Sequence, residues 1–577
     1  MQARFDFKGG AARPLLFRNP ARVITAHTVA EVPGAMAAVE QGLREGLYAA
    51  GCVSYEAAPA FDPALVTQRS SGFPLVCFGL FSAVEDAQAL ASGPLPAAVS
   101  WTPALSQARH ASDVATVREA IAAGDTYQIN YTFRLGATVD VDELDALYQH
   151  LAGAEGVPYA ARLSLDDWHL LSLSPELFFQ LDGTRLVTRP MKGTAPRGRW
   201  AVEDEALRSG LAASEKNRAE NVMIVDLCRN DLSRVCEVGT VQVTSLFDVE
   251  RYPTVWQMVS TVEGEVRPGT RLSEVFAALF PAGSITGAPK SSSMRLIAEL
   301  EHAPRGVYCG AIGYATPDGR ATFSVAIRTM TVDASTGRSE YGVGGGITWD
   351  SVAADEHAEA LSKAACLAIR PPFALIETLR VERGEAVRLD HHLARLADSA
   401  AYFGFACDRA QVHTRLDAYV SSLQEGRWRV RVQLAQDGGV AVDCHELEPP
   451  LTGDARVALA SRPVDSRDRF LCHKTTRREV YDQHRHDHPG VFDVLLWNER
   501  DELTEFTRGN LVAELDGALW TPPRTSGLLA GVFRGVLLDA GRIHERVLTR
   551  DDLLRCTRLW FVNSLREWVP VISSADS

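Results

Sequence analysis

In the stretch TYQINYTFRL, Tyr127, Ile129, Tyr131, Phe133 and Leu135 alternate with Thr126, Gln128, Asn130, Thr132 and Arg134. A period of two predicts a strand with one apolar and one polar face. FSVAIRTM repeats the pattern, with Phe323, Val325 and Ile327 on one side and Ser324, Ala326 and Arg328 on the other. Small neighbours there leave room beside an arginine. RWRVRVQL, further along, alternates in the same way. Elsewhere the period is helical. SEKNRAENVMIVDLCRNDLSRV puts Val222, Met223, Val225 and Leu227 on an apolar side and Asn217 and Glu220 on another. In DSVAADEHAEALSKAA, Ser351 is the expected N-cap of a second helix, on which Glu356, Glu359 and Lys363 follow at i, i+3 and i+7. TRPMKGTAPRG is too rich in proline and glycine for a helix, and predicts a strand that turns into a loop around Lys192.

The helical pattern ADEHAEALSKAACLAIR stops at Pro371 and Pro372, and a new apolar strand begins at Phe373. A chain of 577 residues exceeds one ordinary core, so two domains are expected, 1–370 and 373–577. Hydrophobic content of 46% with 23% charged residues is that of a globular protein. The start MQARFDFKGG lacks the apolar stretch of a signal peptide, and no run reaches about 18 apolar residues, so a cytoplasmic protein away from membranes is expected. Ten cysteines without a CxxC pair read as reduced thiols. The net charge of −14 argues against nucleic-acid binding. It also means that an anionic substrate needs local cations or a metal. HRHDH, residues 484–488, lies in a polar stretch without a matching ligand pair and reads as a solvated loop.

On spacing alone, Glu359 and Lys363 are an ordinary i,i+4 surface pair, and GVGGG is a plain tight turn. The order of blocks changes this. GDTYQIN, SPELF, RPMKGT, AENVMIVDLCRNDLSRV, FPAGSITGAPK, YCGAIGY, AIRTM and GVGGGITWDSVAADEHAEALSK together resemble the chorismate-utilising enzymes. The resemblance covers roughly residues 40 to 370 and implies an α+β fold with two large antiparallel sheets. It implies that Glu220 and Glu359 are Mg²⁺ ligands, with Glu356 acting through water. Tyr308 and Arg328 would hold a substrate carboxylate, which suits the arginine fork. Gly344, Gly345 and Lys363 would border the ring carboxylate and metal, and Thr286 would line the substrate. Gln257 replaces a histidine common in relatives, and Asn217 a glutamate. Anthranilate synthases usually have alanine where Lys192 stands, whereas aminodeoxychorismate synthases have lysine. Lys192 would therefore be the nucleophile and Glu176 the acid for the departing hydroxyl. Gln128 matches the position of a lysine base in hydroxylating relatives, which argues for ammonia over water.

FLCHKTTRREVY, ELTEFTRGNLVAEL, GLLAGVFRG and LDHHLARLADSAAYFGF resemble the fold-type IV pyridoxal-phosphate enzymes, a group that includes aminodeoxychorismate lyase. The resemblance spans about residues 373 to 572. It implies that Lys474 is the Schiff-base lysine and that Glu505 lies beside the pyridine nitrogen. Arg395, the backbone at Gly531 and Val532, and Ser564 would bind the phosphate. Phe533 replaces a threonine common in aminotransferases, and Thr378 is a further active-site candidate. Together the halves imply a bifunctional enzyme that turns chorismate and ammonia into 4-aminobenzoate with Mg²⁺ and pyridoxal 5′-phosphate. No glutaminase block is visible, so a separate glutamine amidotransferase is the expected partner, and a homodimer through the second half is a further expectation. Two alternatives stay open: an anthranilate synthase component joined to a class IV aminotransferase, and a non-catalytic partner that regulates an amidotransferase.

Overall fold

The computed structural model describes all residues except 9–12, 71, 89–94, 156, 424, 450–454 and 574–577. The chain forms two compact units, Met1–Pro196 with Arg208–Pro371, and Arg197–Leu207 with Pro372–Ser577. The expected first domain, 1–370, therefore gives up residues 197–207 to the second unit. Local sequence pattern carries no trace of this, because it depends on contacts with residues more than two hundred positions away.

The first unit has two ten-stranded sheets among the described residues. One contains Gln128–Thr138 beside Arg338–Ile347, paired antiparallel from Arg338↔Thr138 to Ile347↔Ile129. The other contains Met191–Pro196, Val255–Glu265, Leu177–Asp182 and Ala321–Val325. FSVAIRTM is not one strand. Ala321–Val325 belongs to the second sheet and Thr329–Asp333 to the first, and the chain crosses between them at Arg328. Arg328 has φ of 50°, a left-handed conformation that costs a non-glycine residue about 1 kcal/mol or more.

Along Gln128–Thr138 both faces are inside. Ile129, Tyr131, Phe133 and Leu135 are buried, and so are Gln128, Thr132 and Arg134 on the polar face, while Tyr127 is exposed. The helix Glu215–Ser233 is capped by Ser214, whose hydroxyl accepts from the Asn217 amide. Its buried side is Asn221, Ile224, Val225, Cys228, Asp231 and Leu232, and Val222 is exposed. The expected apolar face was thus rotated by about one residue. Ile224, Val225 and Leu232 join Phe179, Phe276 and Phe323 in one core cluster, each such side chain contributing roughly 1.5–3 kcal/mol on burial.

Among its described residues the second unit holds a four-stranded antiparallel sheet, including Leu375–Glu382 and Arg427–Leu434, and an eight-stranded mixed sheet. In the latter, Ala455–Leu459 pairs parallel with Asp493–Trp497 and with Glu567–Ser573. HRHDH is not a loop: His484 to Asp487 close the helix Glu479–Asp487, and His484 is buried. Among the described residues no helix is long and apolar enough to cross a membrane.

Candidate active sites

A cavity of about 360 Å³ in the first unit is lined by Glu176, Lys192, Glu220, Tyr308, Arg328, Gly344, Glu356, Glu359 and Lys363. That is large enough for a ring-sized dicarboxylate. Lys192 is on the strand Met191–Pro196, and Asn221, next to Glu220, donates to its carbonyl at 3.2 Å. Asn221 is itself held by Ser260 at 2.6 Å, so the helix Glu215–Ser233 and the strand with Lys192 are tied together. The Lys192 amine has no hydrogen-bond partner among the described residues. Burial lowers its pKa, Glu220 opposes that shift, and Lys363 adds to it. Glu176 is buried and accepts from the Ser284 hydroxyl at 2.5 Å. Burial pushes its carboxyl up to about 7 against the pull of Ser284 and Lys192. An amine pushed toward its neutral form thus shares a cavity with a carboxyl that can carry a proton near neutrality.

The glycines of the run GVGGG make the space. A Cβ on Gly346 would lie 2.6 Å from the Gln128 Nε2 and 2.7 Å from the Lys192 Nζ. Gln128 Oε1 is buried without a partner. A Cβ on Gly342 would collide with the Tyr308 ring at 2.4 Å. The Arg134 guanidinium carbon lies over the same ring, 4.9 Å from its centre. Lys363 donates to the Gly344 carbonyl at 2.8 Å and pairs with Glu359 at 3.0 Å. Gly345 faces Glu356 and Lys363. Ser351 is not the helix cap; Val352 holds that position in Ala353–Ser362, and the Ser351 hydroxyl donates to Glu356 at 2.6 Å. Thr286 does not line the cavity. Its hydroxyl turns back to the Ala282 and Gly283 carbonyls at 3.1 and 3.2 Å, and Ser284 and Ile285 face the space instead. Gln257 clamps the turn after Lys192 through Gly193 and Thr194.

The acids suit Mg²⁺. Glu220, Glu356 and Glu359 offer only oxygen and border the same space. No three acidic, histidine or cysteine side chains already converge on a point among the described residues. An ion that keeps several waters and takes one or two carboxylates needs no such cage.

In the second unit a cavity of about 610 Å³ is lined by Thr378, Arg395, Lys474, Glu505, Gly531, Val532 and Ser564, among others. Burial, helped by Arg395 and Arg478, lowers the Lys474 amine to about 7. Burial raises Glu505 to about 8, although Tyr481 donates to it at 2.9 Å. Arg395 is gripped by Glu377 at 2.8 and 2.7 Å and donates to the Ala530 carbonyl at 3.2 Å, which holds it beside Gly531. Gly531 caps the helix Val532–Asp539, whose first amides and dipole favour an anion. A Cβ on Gly531 would strike the Asn510 Oδ1 at 2.0 Å. Phe533 does not line this cavity; it packs with Val512, Leu537 and Ile543. An amine, a protonated acid and an anion cradle around one cavity fit pyridoxal phosphate. Tyr481 and Asn510 lie in the blocks FLCHKTTRREVY and ELTEFTRGNLVAEL, but only the fold shows that both bond to Glu505.

Comparison with known proteins gives a family match for each half of the chain. The sequence model of the family described as chorismate binding enzyme matches residues 7–368. The chain belongs to that family. Residues 374–574 match the model for class IV amino-transferases. Among curated relatives, anthranilate synthase component 1 of Streptomyces coelicolor is 44% identical over 264 residues, 46% of this chain and 51% of that protein. Aminodeoxychorismate synthase component 1 of Escherichia coli is 41% identical over 263 residues, 46% of this chain and 57% of that protein. The chain thus spans about half the length of the curated relatives it matches. The crystal structure of anthranilate synthase component I from Streptococcus pneumoniae aligns with a TM-score of 0.55 at 26% identity, covering 63% of this chain and 92% of that one.

Proposed function

We propose that this protein aminates chorismate to 4-amino-4-deoxychorismate in the first unit and releases pyruvate from that product in the second, leaving 4-aminobenzoate. The observation that carries the reading is Lys192, an unpartnered amine with a lowered pKa in one cavity with Glu176. Lys192 adds to ring carbon 2, both ring double bonds shift toward C4, and Glu176 protonates the departing C4 hydroxyl, which leaves as water. Ammonia then adds at C4, both double bonds shift back, and Lys192 is expelled from C2. Arg328 and Tyr308 bind a carboxylate, and Glu220 and Glu359, with Glu356 through water, would hold a Mg²⁺ that neutralises substrate charge. A separate glutamine amidotransferase would supply the ammonia. In the second unit pyridoxal phosphate would supply an electron sink, with Arg395, Gly531, Val532 and Ser564 to hold its phosphate and Glu505 to face its pyridine nitrogen. Lys474 is the base for the C4 proton of the substrate. The similarity to anthranilate synthase favours a second reading, in which ammonia enters at carbon 2. Incubation with chorismate, an ammonium salt, Mg²⁺ and pyridoxal phosphate decides between them. 4-Aminobenzoate and anthranilate have equal mass and must be separated chromatographically; anthranilate as the product overturns the proposal.

Three results are expected. Glu220→Gln and Glu359→Gln should each lower chorismate turnover by about 100-fold or more, and chelation should do so reversibly. Glu356→Gln should do less harm. Normal turnover in chelator-treated protein removes the metal site. Gly346→Ala pushes a methyl into the Lys192 amine and should cost about 100-fold in amination through misplacement. Amination at the unmodified rate would show that Lys192 is placed elsewhere during reaction. Third, Lys474 is neutral above its lowered pKa of about 7, down from 10.5. The rate of pyridoxal phosphate uptake should therefore rise through pH 7 and then level off. A stopped-flow rate still climbing at pH 9 would mark an ordinary amine.

A further inference from the structure

The eleven residues Arg197–Leu207 interrupt the first unit in sequence but pack within the second. They form a built strap. Arg197 forks onto Asp204 at 2.8 and 2.6 Å, with both side chains nearly buried. The Asp204 carboxylate also accepts the Gly198 amide at 2.9 Å. Gly198 allows this fold, since a Cβ there would lie 2.2 Å from the Asp204 backbone nitrogen. Tyr402 donates to the Gly198 carbonyl at 2.6 Å, and its ring lies 4.9 Å from the Arg197 guanidinium carbon. Arg199 donates to the carbonyls of Ser466 and Thr525 at 3.0 and 3.1 Å. The guanidinium carbons of Arg199 and Arg524 lie 4.7 and 4.8 Å from the Trp200 ring centre, and Arg524 donates to the Cys472 carbonyl at 3.0 Å.

The strap ends on the residue before Lys474. The His473 Nε2 is 3.0 Å from the Arg199 carbonyl, and its Nδ1 is 2.9 Å from the Ser399 hydroxyl. A carbonyl only accepts, so Nε2 carries the proton. Burial, with Arg524 beside it, pushes the imidazole down to about 3, so it is neutral and Nδ1 accepts from Ser399. The ring also stacks on Tyr402 at 4.5 Å. Two hydrogen bonds and a stack therefore fix one rotamer and one tautomer at position 473. Beyond it, Ile376 holds the Lys474 carbonyl at 2.9 Å.

We propose that the strap and His473 position Lys474: the Arg199 carbonyl orients the His473 ring, and that ring fixes the backbone from which the Lys474 amine reaches the cofactor cavity. The inference rests on the reading of Lys474 as the pyridoxal-phosphate lysine. It also means that the second unit needs residues that lie inside the region matched to the chorismate-binding family.

The test uses the full chain. His473→Phe keeps a ring against Tyr402 but loses the donor, His473→Gln keeps a donor for the Arg199 carbonyl, and Gly198→Ala displaces the strap from its own side. In the cofactor-free proteins, hydrogen exchange of residues 197–207 should quicken about 10-fold in His473→Phe and Gly198→Ala while the rest of the second unit stays protected. With pyridoxal phosphate, the pH midpoint of the visible absorbance band should move by about one unit in these two variants, a tenfold change in the protonation equilibrium of the bound lysine. His473→Gln should stay within about 2-fold of the unmodified protein in both readouts, since one donor is retained. If Phe and Gln at position 473 behave alike, or if Gly198→Ala leaves the band unchanged, the positioning link is wrong. If the unmodified protein takes up no pyridoxal phosphate, the proposed function of the second unit fails, and hydrogen exchange still reports on the strap.

Discussion

Lys192→Ala should lose amination of chorismate almost completely, by about three orders of magnitude or more, because a covalent step cannot be bypassed by binding alone. The second unit should still convert supplied aminodeoxychorismate. Burial has already lowered the Lys192 pKa, and no hydrogen bond holds its lone pair, so the side chain pays little to attack. Lys192 pulls the Glu176 pKa down, so without it that carboxyl should become harder still to ionise. The chorismate site should survive, because Asn221 contacts the backbone of residue 192 rather than its side chain. Chorismate affinity is therefore expected to change little while kcat collapses, measured by ammonia-dependent product formation and by equilibrium binding with Mg²⁺ present. Full synthase rate in the variant would sink the covalent mechanism. Trace anthranilate would instead show that the lysine mainly directs where nitrogen enters.

Much of the site was legible because it is written in contiguous blocks. Lys192, Glu176, Glu220, Glu356, Glu359 and Lys363 all border one cavity, and so do Lys474, Glu505, Arg395 and Ser564 in the second unit. What local pattern missed has physical reasons. Periodicity tells which residues share a face, but the polar face of Gln128–Thr138 lies inside the protein, and the helix with Glu220 buries Asn221 and Asp231 in place of Val222. Thr286 looked like a substrate residue because its block surrounds the site, yet its hydroxyl satisfies its own turn. Arg328 reads as part of the continuous strand FSVAIRTM, but a left-handed backbone carries the chain from one sheet to the other there. The strap 197–207 is the deepest omission. Its partners, Tyr402, Ser466, His473 and Thr525, are scattered over more than a hundred residues, and nothing in a short window of sequence marks them.

Lys474→Ala should abolish formation of 4-aminobenzoate and let aminodeoxychorismate accumulate. The side chain is the amine placed in the second cavity with a pKa lowered to about 7, so the variant should lose the visible band of lysine-bound pyridoxal phosphate. The change should stay local. Truncation at Cβ leaves the Lys474 carbonyl free to accept from Ile376, and leaves His473 bonded to Ser399 and Arg199. The first cavity contains none of these residues and should still aminate chorismate. Adding a separate aminodeoxychorismate lyase should then convert the accumulated compound to 4-aminobenzoate, which shows that only the second step was lost. Glu505→Ala should differ in kind: the band remains, since Lys474 is intact, but elimination slows because the pyridine nitrogen loses its proton partner. A Lys474→Ala protein that makes 4-aminobenzoate at the unmodified rate would mean that pyruvate is released somewhere other than the second cavity, and the assignment of that unit would fall.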